Sequence, residues 1–325
     1  VINKMTFPTA RAVLCAALLS CAASMASAWT DKPVRIVVPA PAGGVMDVMA
    51  RVVGEQLAKD IGQPVIVDNR PGAGGGIGIN TMLNAPADGQ TLMVTASNVL
   101  TEVPHVIKTS FDPLKDVRPI YAVGRVRNLL VSGTAVPATD FASLVAYLKA
   151  TPAKYSYASH SAGTSSHYAG LYLAAASGLD LQHVPFAGSP PALAQVMGGQ
   201  VTVMFDNVIA SPPMVAAGKL RAYGVGGSTR HPSLPQVPTF IELGRPELDY
   251  TNWFGVVASG KLSEAQAESM SRAIQKAAEA PAVRDKLVQL GFEMLPPQGL
   301  AALAQSVRAE FDRNAITVKK FNVTP

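Results

Sequence analysis

The chain has 325 residues, 48% of them hydrophobic, with 27 Lys and Arg against 22 Asp and Glu and a formal charge of +5. That length supports two domains with full cores. The excess charge is small and scattered, without a Lys/Arg block, so it argues against a nucleic-acid surface and fits weak attraction of anionic solutes.

Lys4 and Arg11 precede the apolar run Ala12 to Leu19, and Ala26-Ser27-Ala28 has the small-x-small form of a cleavage site. The segment 1–28 therefore reads as an export signal removed after Ala28, with the periplasm as destination. Its apolar run is too short to span a bilayer. Lipidation at Cys21 is the alternative, although Leu19 fits a lipobox poorly. Both cysteines, Cys15 and Cys21, lie in this leader, which leaves the exported chain without disulfides or thiol chemistry.

The first element after the leader is Val34-Arg35-Ile36-Val37-Val38, an apolar β-branched run that reads as a buried strand. A Pro/Gly cluster, Pro39 to Gly44, breaks it, and Val45 to Lys59 then carries apolar residues at helical spacing. A strand feeding a helix through Gly-Gly leaves the first helical N–H groups unpaired beside the positive end of the dipole. This is an anion site, and glycine lets a ligand approach the backbone. Pro64 to Asp68 reads as a second strand. The Gly-rich turn Asn69 to Gly76 leads into a helix over about 77–84. A third strand, Thr91 to Thr95, follows the turn Pro86-Ala87-Asp88-Gly89. Three βα repeats with short connections predict a parallel α/β sheet with ligands at its carboxyl ends.

The pattern then restarts. Leu129 to Val131 is a short strand, Phe141 to Lys149 a helix with Thr139 or Asp140 as N-cap, and Tyr155 to Ser159 a strand. A small-residue turn opens a helix over about 165–176. His183 to Phe186 runs into Ala187-Gly188-Ser189-Pro190-Pro191, with Ser189 as N-cap and a helix ending at Gly198-Gly199. Val201 to Phe205 and Leu220 to Val225 are strands, and Pro232 to Pro238 reads as a stiff extended segment. Trp253 to Val257 is a last strand, followed by helices near 263–279, 281–290 and 300–321.

The order of these motifs resembles the Bug family, periplasmic solute-binding proteins of tripartite tricarboxylate transporters. The residues that carry the resemblance are Asp31 to Pro39, Ala42-Gly43-Gly44 with Asp47 and Ala50-Arg51, Asn69 to Gly75, and Asp88 to Leu92. The second half adds Gly163 to His167, His183 to Phe186, Gly198 to Val201 and Leu234 to Thr239. The resemblance implies an α/β, two-lobed periplasmic-binding-protein fold, each lobe a mainly parallel sheet flanked by helices. Lobe 1 would comprise 29–127 plus 251–325, and lobe 2 would comprise 128–250. It implies a monomer that binds a small carboxylate between two strand–turn–helix motifs, Ala42-Gly43-Gly44 and Ser161 to Ser165, and serves a membrane permease or a sensor. No catalysis, cofactor or nucleic acid is expected. Three residues depart from the family's pattern: Ala40 stands where a Phe or similar residue is common, Met46 stands where a small hydroxyl residue is common, and His160 stands in a turn that is more often small.

The candidate ligand residues are thus Ala42, Gly43, Gly44, Asp47, Ser97, Ser161, Gly163, Thr164, Ser165, His167, Ala187, Gly188 and Asp206. Asp47 reads equally as a first-turn acid that complements the helix dipole and as a residue that holds the loop. His167 reads first as a packed histidine, and Asp206 as a helix cap or a receiver of a ligand hydroxyl or ammonium. The glycines after Gly72 form no dinucleotide fingerprint, because Ile77 stands where its last glycine belongs. The histidines show no metal-ligand spacing. A competing reading, an exported serine hydrolase built on Ser165 or Ser166 with His167, lacks the Gly-x-Ser-x-Gly elbow.

Overall fold

The computed structural model describes residues 29–151 and 154–323, so the proposed leader, with Cys15 and Cys21, lies outside the described residues. Strand β1 (Val34–Val38) leads into helix α1 (Val45–Ile61), whose residues Met49, Val53 and Leu57 are fully buried at helical spacing. Each such side chain contributes about 1.5–3 kcal/mol by leaving water. Gly62, in the left-handed region at φ 67°, ends the helix. Then come β2 (Val65–Asn69), α2 (Gly76–Leu83), β3 (Thr91–Ala96) and the single turn α3 (Asn98–Thr101). A ten-residue strand, β4 (Val117–Val126), is separated by Arg127 alone from β5 (Asn128–Gly133).

The second half continues with α4 (Phe141–Lys149), β6 (Ser156–Ser159), α5 (Ser165–Ser177), β7 (Gln182–Pro185) and α6 (Ser189–Met197). It closes with β8 (Val203–Asn207), α7 (Pro212–Ala216) and β9 (Leu220–Val225). The chain returns through β10 (Trp253–Ser259), α8 (Glu264–Glu279), α9 (Pro281–Gln289), β11 (Phe292–Met294) and α10 (Leu300–Phe321). Helices α4 and α8 start in capping boxes, Asp140 with Ser143 and Ser263 with Gln266.

Two sheets result. The first has the order β11-β4-β10-β3-β1-β2 and the second β7-β6-β8-β5-β9. Both are mixed, where a mainly parallel arrangement was expected. β1 pairs parallel with β2 and β3, but β10 enters antiparallel between β3 and β4, and β11 pairs antiparallel with β4. In the second sheet β6 pairs parallel with β7 and β8, while β5 pairs antiparallel with β8 and β9. The antiparallel pairings are made by the strands flanking the crossings at Arg127 and at 226–252, because a chain that returns to a sheet without a helical crossover lies antiparallel.

Three local expectations are corrected. β4 and β11 went unread in the sequence. Gly188, not Ser189, is the N-cap of α6, and Ser189 is its first helical residue. Residues 232–238 form successive turns, with Leu234 N–H on His231 O and Val237 N–H on Leu234 O, so that Leu234 and Val237 are buried. Among the described residues no helix is long and apolar enough to cross a membrane.

Candidate functional site

The carboxyl ends of both sheets border one cavity of about 250 Å³. The first sheet contributes the β1–α1 turn, where Pro39, Ala40, Pro41, Gly44, Val45 and Met46 line the cavity. Gly43 takes φ +81°, which turns its N–H back onto Asp47 Oδ2 at 2.9 Å. Asp47 is buried and also accepts from Arg51 Nε, at 3.1 Å to each oxygen. Burial alone would raise the Asp47 carboxyl; the Arg51 guanidinium, the Gly43 N–H and Asn69 outweigh it and hold the group below the usual carboxylate range. Asn69 Nδ2 ties the same turn by donating to Ala40 O at 3.0 Å. Asp47 is therefore the brace of this turn. Ala42 and Gly43 are exposed and lie outside the lining, and the Gly43 N–H is already engaged. The donors this turn offers are the first-turn N–H groups of Val45 and Met46, which have no intrahelical acceptor.

The second sheet contributes the β6–α5 turn. Here the hydroxyls form a directed chain: His160 N–H donates to Ser166 Oγ (2.8 Å), Ser166 Oγ pairs with Thr164 Oγ1 (3.0 Å), and Thr164 Oγ1 donates to Ser161 O (2.7 Å). Thr164 is the N-cap of α5, and Ser161, Thr164, Ser165 and Ser166 all line the cavity. Gly163, at φ +72°, is outside the lining, and its N–H is taken by His167 Nδ1 at 3.0 Å. His167 is buried beneath the turn and stacked on His183 with ring centroids 3.7 Å apart. Burial, with His183 beside it, pushes its pKa down to about 3, so the ring is neutral and accepts the Gly163 N–H. Gly163, expected to offer its N–H to the ligand, and His167, read first as a packed histidine, satisfy each other. No serine hydroxyl bonds to His167 among the described residues, so the pairing of Ser165 or Ser166 with His167 that the competing reading needs does not form.

A third turn joins β7 to α6. Ala187, Gly188 and Ser189 line the cavity, and Gly188 N–H donates to His160 O at 2.9 Å. Pro190 and Pro191 carry no N–H, so Ser189 supplies the only first-turn backbone donor of α6. At the end of β8, Asp206 is 2% exposed; its Oδ1 accepts from His160 Nε2 (3.0 Å) and Asn207 Nδ2 (3.1 Å), and its Oδ2 from Ser211 Oγ (2.5 Å). Ser97 turns away from the cavity and donates to Glu310 Oε1 at 2.8 Å in a buried network with Thr101 and Asn252. Its neighbour Asn98 lines the cavity instead.

The Gly72–Gly75 turn also lines the cavity, but sequence reading missed other parts of the wall, among them Asn98, Phe186, Phe205, Phe254 and the segment Tyr250-Thr251-Asn252. The last of these directly precedes a predicted strand, and that position is the only sequence signal they carry. No Lys or Arg lines the cavity, and its ionisable side chains are His160, Asp206 and Tyr250. The two sheets' turns touch on either side of it. A Cβ on Gly188 would lie 2.6 Å from Pro41 Cδ, and one on Gly163 would lie 3.1 Å from Val106 Cβ. Among the described residues no three His, Cys, Asp or Glu side chains gather as a metal requires.

Two α/β sheets whose helix N-termini converge on one apolar-walled cavity define a substrate-binding protein of the periplasmic-binding-protein fold. Residues 49–323 match the model of the tripartite tricarboxylate transporter family receptor, and the chain belongs to that family, TctC/Bug, whose members bind substrates and are not enzymes. The chain is 34% identical over 282 residues to the UPF0065 protein in the tcbD-tcbE intergenic region of Pseudomonas sp. (strain P51), covering 86% of this chain and 84% of that one. It is 32% identical over 268 residues to Protein BugT of Bordetella pertussis, covering 82% of each. Among solved structures it superposes on R. palustris Rpa4515 with adipate at TM-score 0.85 and 29% identity, covering 91% and 99% of the two chains. MatC from Rhodopseudomonas palustris with bound malate gives TM-score 0.81 at 30% identity, covering 89% and 99%.

Proposed function

We propose that this protein is a periplasmic receptor that closes two lobes, 29–127 plus 251–325 and 128–250, over a small carboxylate. The observation that carries this reading is that the first turns of α1 and α5, from different sheets, face one cavity that holds no Lys or Arg. An anion there is met by backbone N–H groups and helix dipoles. The donors are the N–H groups of Val45, Met46, Ser165 and Ser166 and the hydroxyls of Ser161 and Ser165. Gly44, Ala187 and Gly188 let the ligand and the opposing turn come close. Asp47, Gly163 and His167 hold the two turns in shape, and Ser97 braces the floor behind Asn98. The receptor works as a monomer and hands its ligand to a membrane permease or presents it to a sensor. The adipate and malate of the two relatives belong to the ligand class proposed here, and Met46 with Phe186, Phe205 and Phe254 favours a ligand body less polar than a tricarboxylate.

A melting-temperature screen against aliphatic, hydroxy- and aromatic carboxylates tests this reading. A ligand present at about 100 times its dissociation constant stabilises the protein by ~2.7 kcal/mol. For a chain of this size, with an unfolding entropy of about 2.1 cal/mol/K per residue, that is a shift of roughly 4 °C. A folded protein that no carboxylate stabilises, with amines or sugars stabilising it instead, sinks the proposal.

A further inference from the structure

The cavity walls leave one question of charge. A carboxylate ligand enters a space without Lys or Arg, yet a carboxylate of the protein, Asp206, stands in its wall with its side chain wholly buried. Two anions in one desolvated cavity repel strongly. The group placed between them is His160. Its Nε2 is fixed on Asp206 Oδ1 at 3.0 Å, its backbone is fixed by Ser166 Oγ and the Gly188 N–H, and its side chain is 26% exposed. With Nε2–H committed to the carboxylate, Nδ1 is the ring atom left to meet a ligand: a lone pair when the ring is neutral, an N–H donor when it is protonated.

We propose that His160 is the specificity-determining cation of this site, and that it takes up a proton as the carboxylate binds. The ligand is thus recognised as a carboxylate together with one proton. The imidazolium then neutralises Asp206 on one side and donates to the anion on the other. This inference rests on the carboxylate reading above and deepens it.

The groups around His160 leave it this role. The β7–α6 turn brings only Phe186, Ala187, Gly188 and Ser189, all uncharged. In the first turn of α5, His167 lies under the turn and is held neutral, as is His183 against it, by burial. From β8 the facing charge is Asp206. Across the cavity, Asp47 is paired with Arg51 on the outer side of its turn. Tyr250 and Asn252 are uncharged there, and Glu102 behind them is pushed well above the usual carboxylate range by burial, with Glu310 adding to the effect. No other group in the wall can change sign to suit an anion.

The test is calorimetry with adipate and with malate between pH 6.5 and 8.5, where both are fully ionised, in buffers of different ionisation enthalpy so that proton exchange is counted directly. The expected result is net proton uptake on binding and an affinity that falls on going to alkaline pH, by up to about tenfold per pH unit, the limit for one proton. His160→Asn should bind more weakly at pH 6.5 and lose both the slope and the uptake. His160→Gln repeats the measurement with a longer amide should the first variant fold poorly. Binding without proton uptake, or affinity that rises with pH because a neutral His160 accepts a ligand hydrogen, overturns the proposal. If neither probe nor any other carboxylate binds the folded wild type, the carboxylate reading itself fails, an outcome distinct from pH-independent binding.

Discussion

Gly188 sits where the turns of the two sheets touch, at φ +117° and ψ −179°, a backbone region that glycine occupies almost alone. Alanine there adds backbone strain of about 1–3 kcal/mol and drives a methyl group into Pro41. Gly199 separates the two effects: it also has positive φ, at +76°, but an added Cβ meets nothing within 4 Å. Gly188→Ala should therefore lose at least tenfold in ligand affinity by calorimetry, whereas Gly199→Ala should lose some thermal stability and keep its affinity. Equal losses of affinity would show that the Pro41 contact is irrelevant to binding. Asp47 makes a second prediction at this scale. Its lowered pKa means that its contribution to stability is full above the unfolded carboxylate value near 4 and is lost as pH falls through the folded value. Asp47→Asn should cost about 2 kcal/mol at pH 7, the scale of a hydrogen bond to a charged group, and flatten the acid limb of urea unfolding measured from pH 5 to 2.5. The sequence showed which turns line the cavity but not which of their atoms are free. Gly43 and Gly163 were legible as turn glycines; that side chains four residues on, Asp47 and His167, consume their N–H groups depends on rotamers that spacing does not reveal. The choice of Ser97 over Asn98 failed for a similar reason: the strand ends at Ala96 and the backbone turns helical at Ser97, so side-chain direction there no longer follows the strand's alternation.

Helix α5 shows how an element is held to serve a turn. Its first-turn ring, His167, stacks on His183 from β7, and His183 Nε2 pairs with Ser159 Oγ (2.7 Å), which itself donates to Ser161 O. Burial pushes His183 down to about 4 and His167 to about 3. The unfolded chain takes up protons at these rings near pH 6.5 and the folded chain resists, so stability is full above 6.5 and falls steadily from there towards pH 4. Urea midpoints measured from pH 7.5 to 4.5 should decline over this interval, and His183→Leu should reduce the slope. An unchanged slope would place the acid sensitivity elsewhere. Helices of this kind were readable because caps and periodicity are local: Asp140 and Ser263 announce α4 and α8, and α10 spans the range its pattern marks. β4 was not readable. Pro119 and Gly124 punctuate its run, and the ladder absorbs the missing Pro119 N–H through a register shift opposite Val256/Val257 that only the partner strand β10 defines. β11 has three residues and exists because β4 offers it an edge.

At the scale of the molecule, the βα repeats conveyed the class of fold but not the sheet order. Nothing local in residues 253–259 says that they insert between β3 and β4; that placement follows from burial on both faces of a strand arriving from the other sheet. The outcome is a chain that crosses between its sheets twice, at Arg127 and at 226–252, beside a cavity whose rims meet at Pro41–Gly188 and Val106–Gly163. Arg127 braces the first crossing through Glu293 Oε1 at 2.5 Å and through Thr229 O, so it joins β11 of one sheet to the loop after β9 of the other. Two crossings between the sheets permit hinge motion, and the rim contacts close off the cavity on both sides. The ligand-free protein should therefore populate a form in which these rims are apart. Its apparent affinity is then the closed-state affinity reduced by the fraction of molecules that close. Small-angle scattering should show the radius of gyration falling when a stabilising carboxylate is added. Gly188→Ala should keep the larger radius at ligand concentrations that close the wild type. A carboxylate that raises the melting temperature while the radius stays fixed would leave binding intact and remove lobe closure from the mechanism.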